Sequence, residues 1–277
     1  MAIHWALPLL QKILPDNVFA KVSDIACNPT VGIHSGLYPI IHGESGQLIT
    51  GVPYENGLRV PRSKMRKLSA EGINVEYGKL LTNVVFPEDG VGVIAHFADG
   101  TVVHGSMIIG ADGPRSKLRE IAVGNAEDAA TTKFQIFHTN MTVCYNDAEK
   151  ALFVRKQYPT SYLALSEKSF HAFQSRDAAH PMPPYRGQGL NHCIRDVAYL
   201  LEGMQAWNNS EQTLQEAIQK FEGEMIARGQ EEVTCSVENG YMLHDWSKVQ
   251  QSPVFNRGFK PMDGHSTTNK VGNAINA

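Results

Sequence analysis

Arg176-Asp177-Ala178-Ala179-His180-Pro181-Met182-Pro183-Pro184-Tyr185-Arg186-Gly187-Gln188-Gly189-Leu190-Asn191, running on into His192-Cys193-Ile194-Arg195-Asp196, is the stretch around which the rest of the chain is organised. An acidic residue follows a polar break, a proline-rich bend comes next, and Gly187 and Gly189 then open a helix. Two close glycines ahead of a helix let backbone N–H groups approach an anionic or strongly polar ligand, and the helix N-terminus adds partial positive charge. Asp177 stands where a carboxylate accepts a hydrogen bond from a ribose-type hydroxyl. The question for every other segment is whether it completes such a site.

A second corner lies upstream. Residues 74–109 read as successive strands over 75–77, 80–86, 91–97 and 101–109. Pro87-Glu88-Asp89-Gly90 and Ala98-Asp99-Gly100-Thr101 are the Asp-Gly turns that close hairpins. The last run, Ser106-Met107-Ile108-Ile109, reads as a short buried strand feeding into Gly110-Ala111-Asp112-Gly113-Pro114-Arg115-Ser116-Lys117-Leu118-Arg119. Strand, glycine turn and helix follow one another there, with Pro114 near the first helical turn, Ser116 as the cap and Asp112 as the acidic element. Alone, Gly-Ala-Asp-Gly is a weak signal; paired with the downstream turn it becomes specific.

Together the two corners resemble the paired flavin motifs of the flavin-dependent aromatic hydroxylases, the single-component monooxygenases with the para-hydroxybenzoate hydroxylase fold. The resemblance is carried by Gly110-Ala111-Asp112-Gly113 with Ser116 and Arg119, then by Asp177-Ala178-Ala179-His180-Pro181, Gly187-Gln188-Gly189-Leu190-Asn191 and Asp196. Within that group the chain is most similar to fungal FAD-dependent monooxygenases of secondary metabolism. The resemblance implies a mixed α/β fold: a Rossmann-like FAD/NAD(P)-binding domain with an antiparallel substrate-domain sheet and C-terminal helices. It also implies that Asp177 binds the ribityl chain of FAD, and that Gly187, Gly189, Leu190 and Asn191 set backbone against the flavin ring. Arg62 would contact the flavin, Asp112 would serve both FAD and NAD(P)H, and Pro181 would lie between ring and substrate. In such enzymes NAD(P)H reduces the flavin, O2 reacts with it, and one oxygen atom passes to an electron-rich small molecule, here an aromatic or polycyclic metabolite. The chemistry belongs to the cofactor, so no side chain is singled out as catalytic and no metal site is expected.

Two departures from the family pattern set further expectations. A full-length member opens with a strand and a Gly-x-Gly-x-x-Gly turn for the FAD pyrophosphate, and this chain shows neither, so a βαβ segment of at least ~30 residues is expected to be missing. A second gap is expected at Gln174-Ser175, where the flavin motif arrives with no room for the rest of the substrate sheet, and where Arg176 replaces the family's glycine. Weak or absent FAD retention follows as an expectation. The monooxygenase reading therefore stands beside two alternatives: a non-catalytic truncated paralogue, and a same-fold FAD oxidoreductase that inserts no oxygen.

The remainder of the chain is consistent with a globular protein. Of its 277 residues, 42% are hydrophobic and 19% charged, and the net charge of −3 leaves no basic footprint for nucleic acid. Cys27, Cys144, Cys193 and Cys235 are scattered without a C-x-x-C pair, which argues against a disulfide framework and, with no secretory leader, for a cytoplasmic setting. Ile3, Leu7, Leu10 and Leu14 recur at helical spacing, so residues 2–14 read as an amphipathic helix interrupted by Pro8, for core packing rather than membrane attachment. A hairpin is expected around His42-Gly43-Glu44-Ser45-Gly46. A helix is expected from Val60 to Leu68, with Met65 and Leu68 inward and Arg62 either a solvated charge or aimed across a cofactor groove. Residues 134–144 and 163–173 read as substrate-sheet strands. Val197, Leu200, Leu201 and Met204 are expected on one face of the helix after the flavin motif. Leu214, Ala217, Ile218, Phe221 and Met225 then form the stripe of a longer helix capped at Asn209-Ser210. His180 and His192 beside Asp177 and Asp196 are read as parts of a cofactor loop, not as metal ligands. The expected organisation is residues 1–55 as N-terminal helix and strands, 56–125 as the FAD-binding part, 126–174 as substrate-domain strands, 175–259 as the second flavin motif and C-terminal helices, and 260–277 as a disordered tail.

Overall fold

A computed structural model describes residues 1–88, 90–136, 146–167, 170–172 and 186–259. The fold is mixed α/β, with two sheets among the described residues and a helical C-terminal region. The chain opens with β1 (Ala2–Ile3) and α1 (Leu7–Ile13). The expected helix over residues 2–14 is thus divided: Ile3 belongs to a strand, and Pro8 falls in the first turn of α1, where a missing N–H breaks no intrahelical bond. A short helix α2 (Asp16–Phe19) and one 3-10 turn (Ser23–Ile25) lead into the hairpin of β2 (His34–His42) and β3 (Leu48–Arg59). Its turn falls at the expected place, closed by His42 N–H donating to Gln47 O at 2.7 Å, with Gly46 at φ +72°. Both strands are longer than the glycine-punctuated sequence suggests, because paired strands supply partners for the backbone on either side of each glycine.

Next come α3 (Arg62–Ser69), β4 (Leu81–Val85), β5 (Val93–Phe97), β6 (Val102–Gly105), α4 (Lys117–Val123) and α5 (Ala148–Gln157). Then follow β7 (Leu163–Leu165), β8 (Phe170–Ala172), α6 (Gly189–Asn208), α7 (Leu214–Leu243), a 3-10 helix (Trp246–Gln251) and α8 (Pro253–Arg257). The larger sheet runs β1-β3-β2-β7-β8; β2 and β7 are parallel, with Ile40 opposite Leu163, and the other neighbours are antiparallel. The smaller sheet is the meander β4-β5-β6.

Several expected strands are corrected. Residues 75–77 are exposed coil, and β6 stops at Gly105, so Met107 to Ile109 form no strand and Ile109 lies exposed. That apolar run pairs with no neighbouring strand among the described residues, and an unpaired run cannot hold a strand in water. Residues 134–136 are irregular while 137–145 lie outside the described residues. The run 163–173 is divided into β7 and β8, which pair antiparallel.

Two cores form. Ile3, Leu7, Leu10, Val22, Leu58, Met65, Leu68 and Ile194 join α1, α3, the end of β3 and α6. Ile40, Val52, Leu163, Leu165, Leu243, Val249 and Val254 join the middle of the larger sheet to the C-terminal helices. The meander contributes to neither, and its substantial packing is against α4. Among the described residues no helix is long and apolar enough to cross a membrane.

Candidate active site

The N-terminal end of α6 is held by three side chains in sequence. Arg186 is wholly buried and its Nη1 donates to Glu232 Oε2 of α7 at 2.6 Å. Gly187 adopts φ +64°, the left-handed region that suits a residue without Cβ. Gln188 then bridges two distant segments: its Oε1 accepts from Trp5 Nε1 at 2.7 Å, and its Nε2 donates to Phe259 O at 2.8 Å. Asn191, one turn into the helix, accepts from His4 N–H at 3.0 Å and donates to Ala2 O at 3.1 Å, latching the start of the chain onto α6. Its amide also faces His4 Nε2 at 3.3 Å, which makes that nitrogen the acceptor. Burial, with His192 and Arg186 nearby, pushes the His4 imidazole down to about 4.

Behind this turn lies a buried charge network that the sequence reading missed. Arg228 of α7 donates to His192 Nδ1 at 2.8 Å, to Asp196, and to Glu224 Oε1 at 2.9 Å. A guanidinium only donates, so His192 Nδ1 must carry the lone pair, leaving Nε2 toward Glu232 at 3.5 Å. His192 and Asp196 therefore link α6 to α7. His180 and Asp177 lie outside the described residues. This inward polar face also corrects the expected stripe of α6: Asn191, His192, Ile194, Asp196 and Ala198 are buried, while Val197 and Leu201 point outward.

In front of the turn is an open pocket. One wall is Ala2, Ile3, His4, Arg186 and Gly187; the facing wall is His34, Tyr38, Tyr54 and the Gly57-Leu58-Arg59 end of β3; Thr160, Ser161 and Phe259 close the rim. Tyr54 donates to His34 Nε2, whose Nδ1 in turn donates to Gly32 O at 3.1 Å. The Tyr54 ring lies across Gly57, where a Cβ would sit 2.5 Å from Tyr54 Cδ2, so glycine is required there by contact rather than by φ. The sequence offered no marker for this wall beyond aromatic residues alternating with glycines.

The remaining expected cofactor residues are dispersed. Gly187 lines the pocket; Gly189, Leu190 and Asn191 form the first turn behind it. Arg62 is exposed at the start of α3 and is not part of the lining. Asp112 caps α4, its Oδ2 accepting from Lys117 N–H at 2.7 Å and Leu118 N–H at 3.3 Å. Partial burial raises its carboxyl, but hydrogen bonds from Ser116 and from the Leu118 and Lys117 backbone outweigh that and hold it below the usual range. Ser116 also caps α4, accepting from Arg119 N–H at 3.0 Å, and a Cβ on Gly110 would meet Leu118 Cδ2 at 2.8 Å. The Gly-Ala-Asp-Gly corner is therefore a tightly seated helix start. Asp177 and Pro181 lie outside the described residues.

The architecture matches solved flavin monooxygenase folds. Klebsiella pneumoniae HpxO, crystallised with FAD and uric acid, superposes with a TM-score of 0.59 at 15% identity, over 90% of this chain and 82% of HpxO. No family model matches the chain. Sequence relatives define the family. The FAD-dependent monooxygenase phnB of Penicillium herquei is 54% identical, over 99% of this chain and 88% of its own length. The FAD-dependent monooxygenase cctM of Talaromyces islandicus is 25% identical, over 93% of this chain and 86% of its own. The chain belongs to the FAD-dependent monooxygenases. The match to phnB extends over 360 residues against 277 here, so the relative carries at least 83 residues that face gaps in this chain. The match to cctM, over 342 residues, shows the same imbalance.

Proposed function

We propose that this chain inserts one oxygen atom from O2 into an aromatic or polycyclic metabolite, using FAD with NAD(P)H as reductant. The observation that carries the reading is the pocket itself. It opens between a glycine turn at the N-terminus of a 20-residue helix and an aromatic wall on β2 and β3. The donor set suits a flavin ring: a positive-φ glycine permits close backbone approach, and the helix N-terminus favours an electron-rich edge. FAD, when bound, supplies the reducing equivalents and the oxygen activation.

The protein's residues would orient and enclose. Gly187 would present backbone to the ring, with Gly189, Leu190 and Asn191 supplying the helix start behind it; Asp177 would hold the ribityl chain and Pro181 would separate ring from substrate. Asp112 and Arg62 would serve the outer parts of FAD and the NAD(P)H approach. Tyr38, Tyr54 and Phe259 supply the flat apolar surface that an aromatic ring requires. The test is NAD(P)H-dependent O2 uptake with an aromatic substrate panel under ¹⁸O2. Label in the product supports the reading; uptake without label moves it to an oxidoreductase that inserts no oxygen.

A second reading has its own support. The relative's 83 or more additional residues and the uncovered meander favour a non-catalytic paralogue that holds FAD poorly. A flavin absorbance spectrum of the purified chain separates the two, since a stoichiometric yellow protein excludes the second.

A further inference from the structure

We propose that the Phe259 ring is a gate on this pocket: it occupies the place of a planar aromatic ligand and swings aside for one to enter. The inference rests on the reading that the pocket takes an aromatic ring, whether of substrate or of flavin. Size decides the matter. With Phe259 in place the cavity measures about 60 Å³, whereas an apolar cavity of roughly 150 Å³ is what takes up a benzene molecule. Water fits beside Phe259; a second ring does not. The Phe259 ring is itself seated as a ligand ring would be, edge-on to Tyr38 with centroids 5.4 Å apart and tilted against His4 at 5.6 Å. Both separations are those of favourable ring pairs, and Tyr38 and His4 stand on facing walls of the pocket.

Of the residues around the pocket, Phe259 moves at least cost. Arg186 is paired with Glu232, Tyr54 lies across Gly57 within β3, and the His4 backbone is latched to Asn191. Phe259 belongs to no helix or strand and follows the end of α8 at Arg257. Its carbonyl accepts from Gln188 Nε2 at 2.8 Å, and Gly258 ahead of it adopts φ +62° with ψ −139°, a conformation that glycine alone takes readily. A Cβ at Gly258 would also meet Val52 Cγ1 at 3.2 Å. The backbone is therefore held at the rim, while the ring turns about χ1 without breaking the bond from Gln188. Turning out forfeits the contacts with Tyr38 and His4, and the incoming ring takes them over. A ligand thus competes with Phe259, and its apparent affinity is reduced by the fraction of chains in which the ring stands aside.

The test titrates the full chain by calorimetry with 2-naphthol and with lumichrome, the flavin ring alone. In Phe259→Ala the competing ring is gone, so one or both probes bind about tenfold more tightly than to wild type, and Phe259→Trp weakens the same probe. The probe that gains shows whether the gate guards substrate or flavin. Affinities unchanged or reduced in a folded Phe259→Ala chain overturn the proposal, since truncating a fixed wall only removes contacts. If the variant does not fold, 4-fluorophenylalanine in place of Phe259 in the otherwise wild-type chain decides. Saturation with either probe moves its fluorine resonance toward the solvent-exposed value, and a resonance that stays in place refutes the gate. Tighter binding to Phe259→Ala without NAD(P)H-dependent O2 uptake by either chain would overturn the monooxygenase reading and leave this one standing. Labelled product with unchanged affinities would do the reverse.

Discussion

Glu232→Gln tests whether the pocket turn is held by charge. Glu232 is almost wholly buried, accepts from Arg186 Nη1 at 2.6 Å and faces His192 Nε2 at 3.5 Å. The substitution conserves shape while removing the carboxylate nearest to a fully buried guanidinium. Breaking one side of a buried ion pair costs about 3–5 kcal/mol, because the remaining charge stays desolvated without its counter-charge. Removing both partners leaves no such charge, so Arg186→Met/Glu232→Leu should recover most of that loss. Urea unfolding followed by far-UV circular dichroism measures both, and tryptophan fluorescence adds a local reporter, since Trp5 is bonded to Gln188 and packs 5.2 Å from the His192 ring. A Glu232→Gln chain within about 0.5 kcal/mol of wild type would refute the reasoning, that being the usual range for a surface change. So would a double variant no more stable than the single one.

Other consequences can be measured separately. The folded imidazole of His4 lies at about 4 against 6.5 unfolded, so below pH 6.5 the unfolded chain binds a proton that the folded chain does not. Stability from this group is fully present above pH 6.5 and is lost as pH falls toward 4, by about 3 kcal/mol in all; His4→Asn should flatten that part of the urea-midpoint profile against pH. Thr213 and Glu216 form a reciprocal capping box at the start of α7, with Glu216 N–H donating to Thr213 Oγ1 at 3.2 Å and Thr213 N–H to Glu216 Oε2 at 2.8 Å. Thr213→Ala should cost about 1 kcal/mol by the same unfolding assay, and no change would count against the cap. Exposed Phe86, Val91 and Val103 on and around the meander should bind ANS in the native chain; Val103→Lys should lower both that fluorescence and the rate of aggregation, and equal signals would show that the surface is covered in solution.

What could be read from the sequence depended on whether local chemistry or tertiary packing decided the outcome. The hairpin at residues 42–47, α3 with Met65 and Leu68 inward, and the Asp-Gly turns follow from residues whose backbone preferences act locally. The start of α6 at Gly189 belongs with them. The inward face of α6 was not legible, since apolar periodicity assumes that Val197 and Leu201 seek the core. Here α6 meets α7 through His192, Asp196 and Arg228, and Val197 and Leu201 turn outward. Arg186 and Glu232 are 46 positions apart, and a single sequence gives no sign that two such charges are buried together. One miss was avoidable. Thr213-x-x-Glu216 is a capping signature in plain sight, whereas Ser210, taken as the cap, sits at φ +61° in the turn before it.

On the proposed reading, flavin retention and ligand selection would separate along physical lines in this fold. Both pocket walls are anchored in the two cores: Gly187 through Arg186, Gln188 and Asn191, and Tyr38 through the larger sheet. The meander with α4, which carries the Asp112 corner, packs into neither core and leaves much of its apolar surface in water. Residues that the relatives have and this chain skips would therefore affect the Asp112 side first, since uncovered apolar surface marks where a packing layer belongs. If the proposed reading holds, such a chain would lose affinity for the long tail of FAD before its pocket lost the capacity to hold an aromatic ring. The converse, tight FAD with an unselective pocket, would require the meander to be the better packed half, whereas Val85, Val102 and Val103 of the meander are exposed.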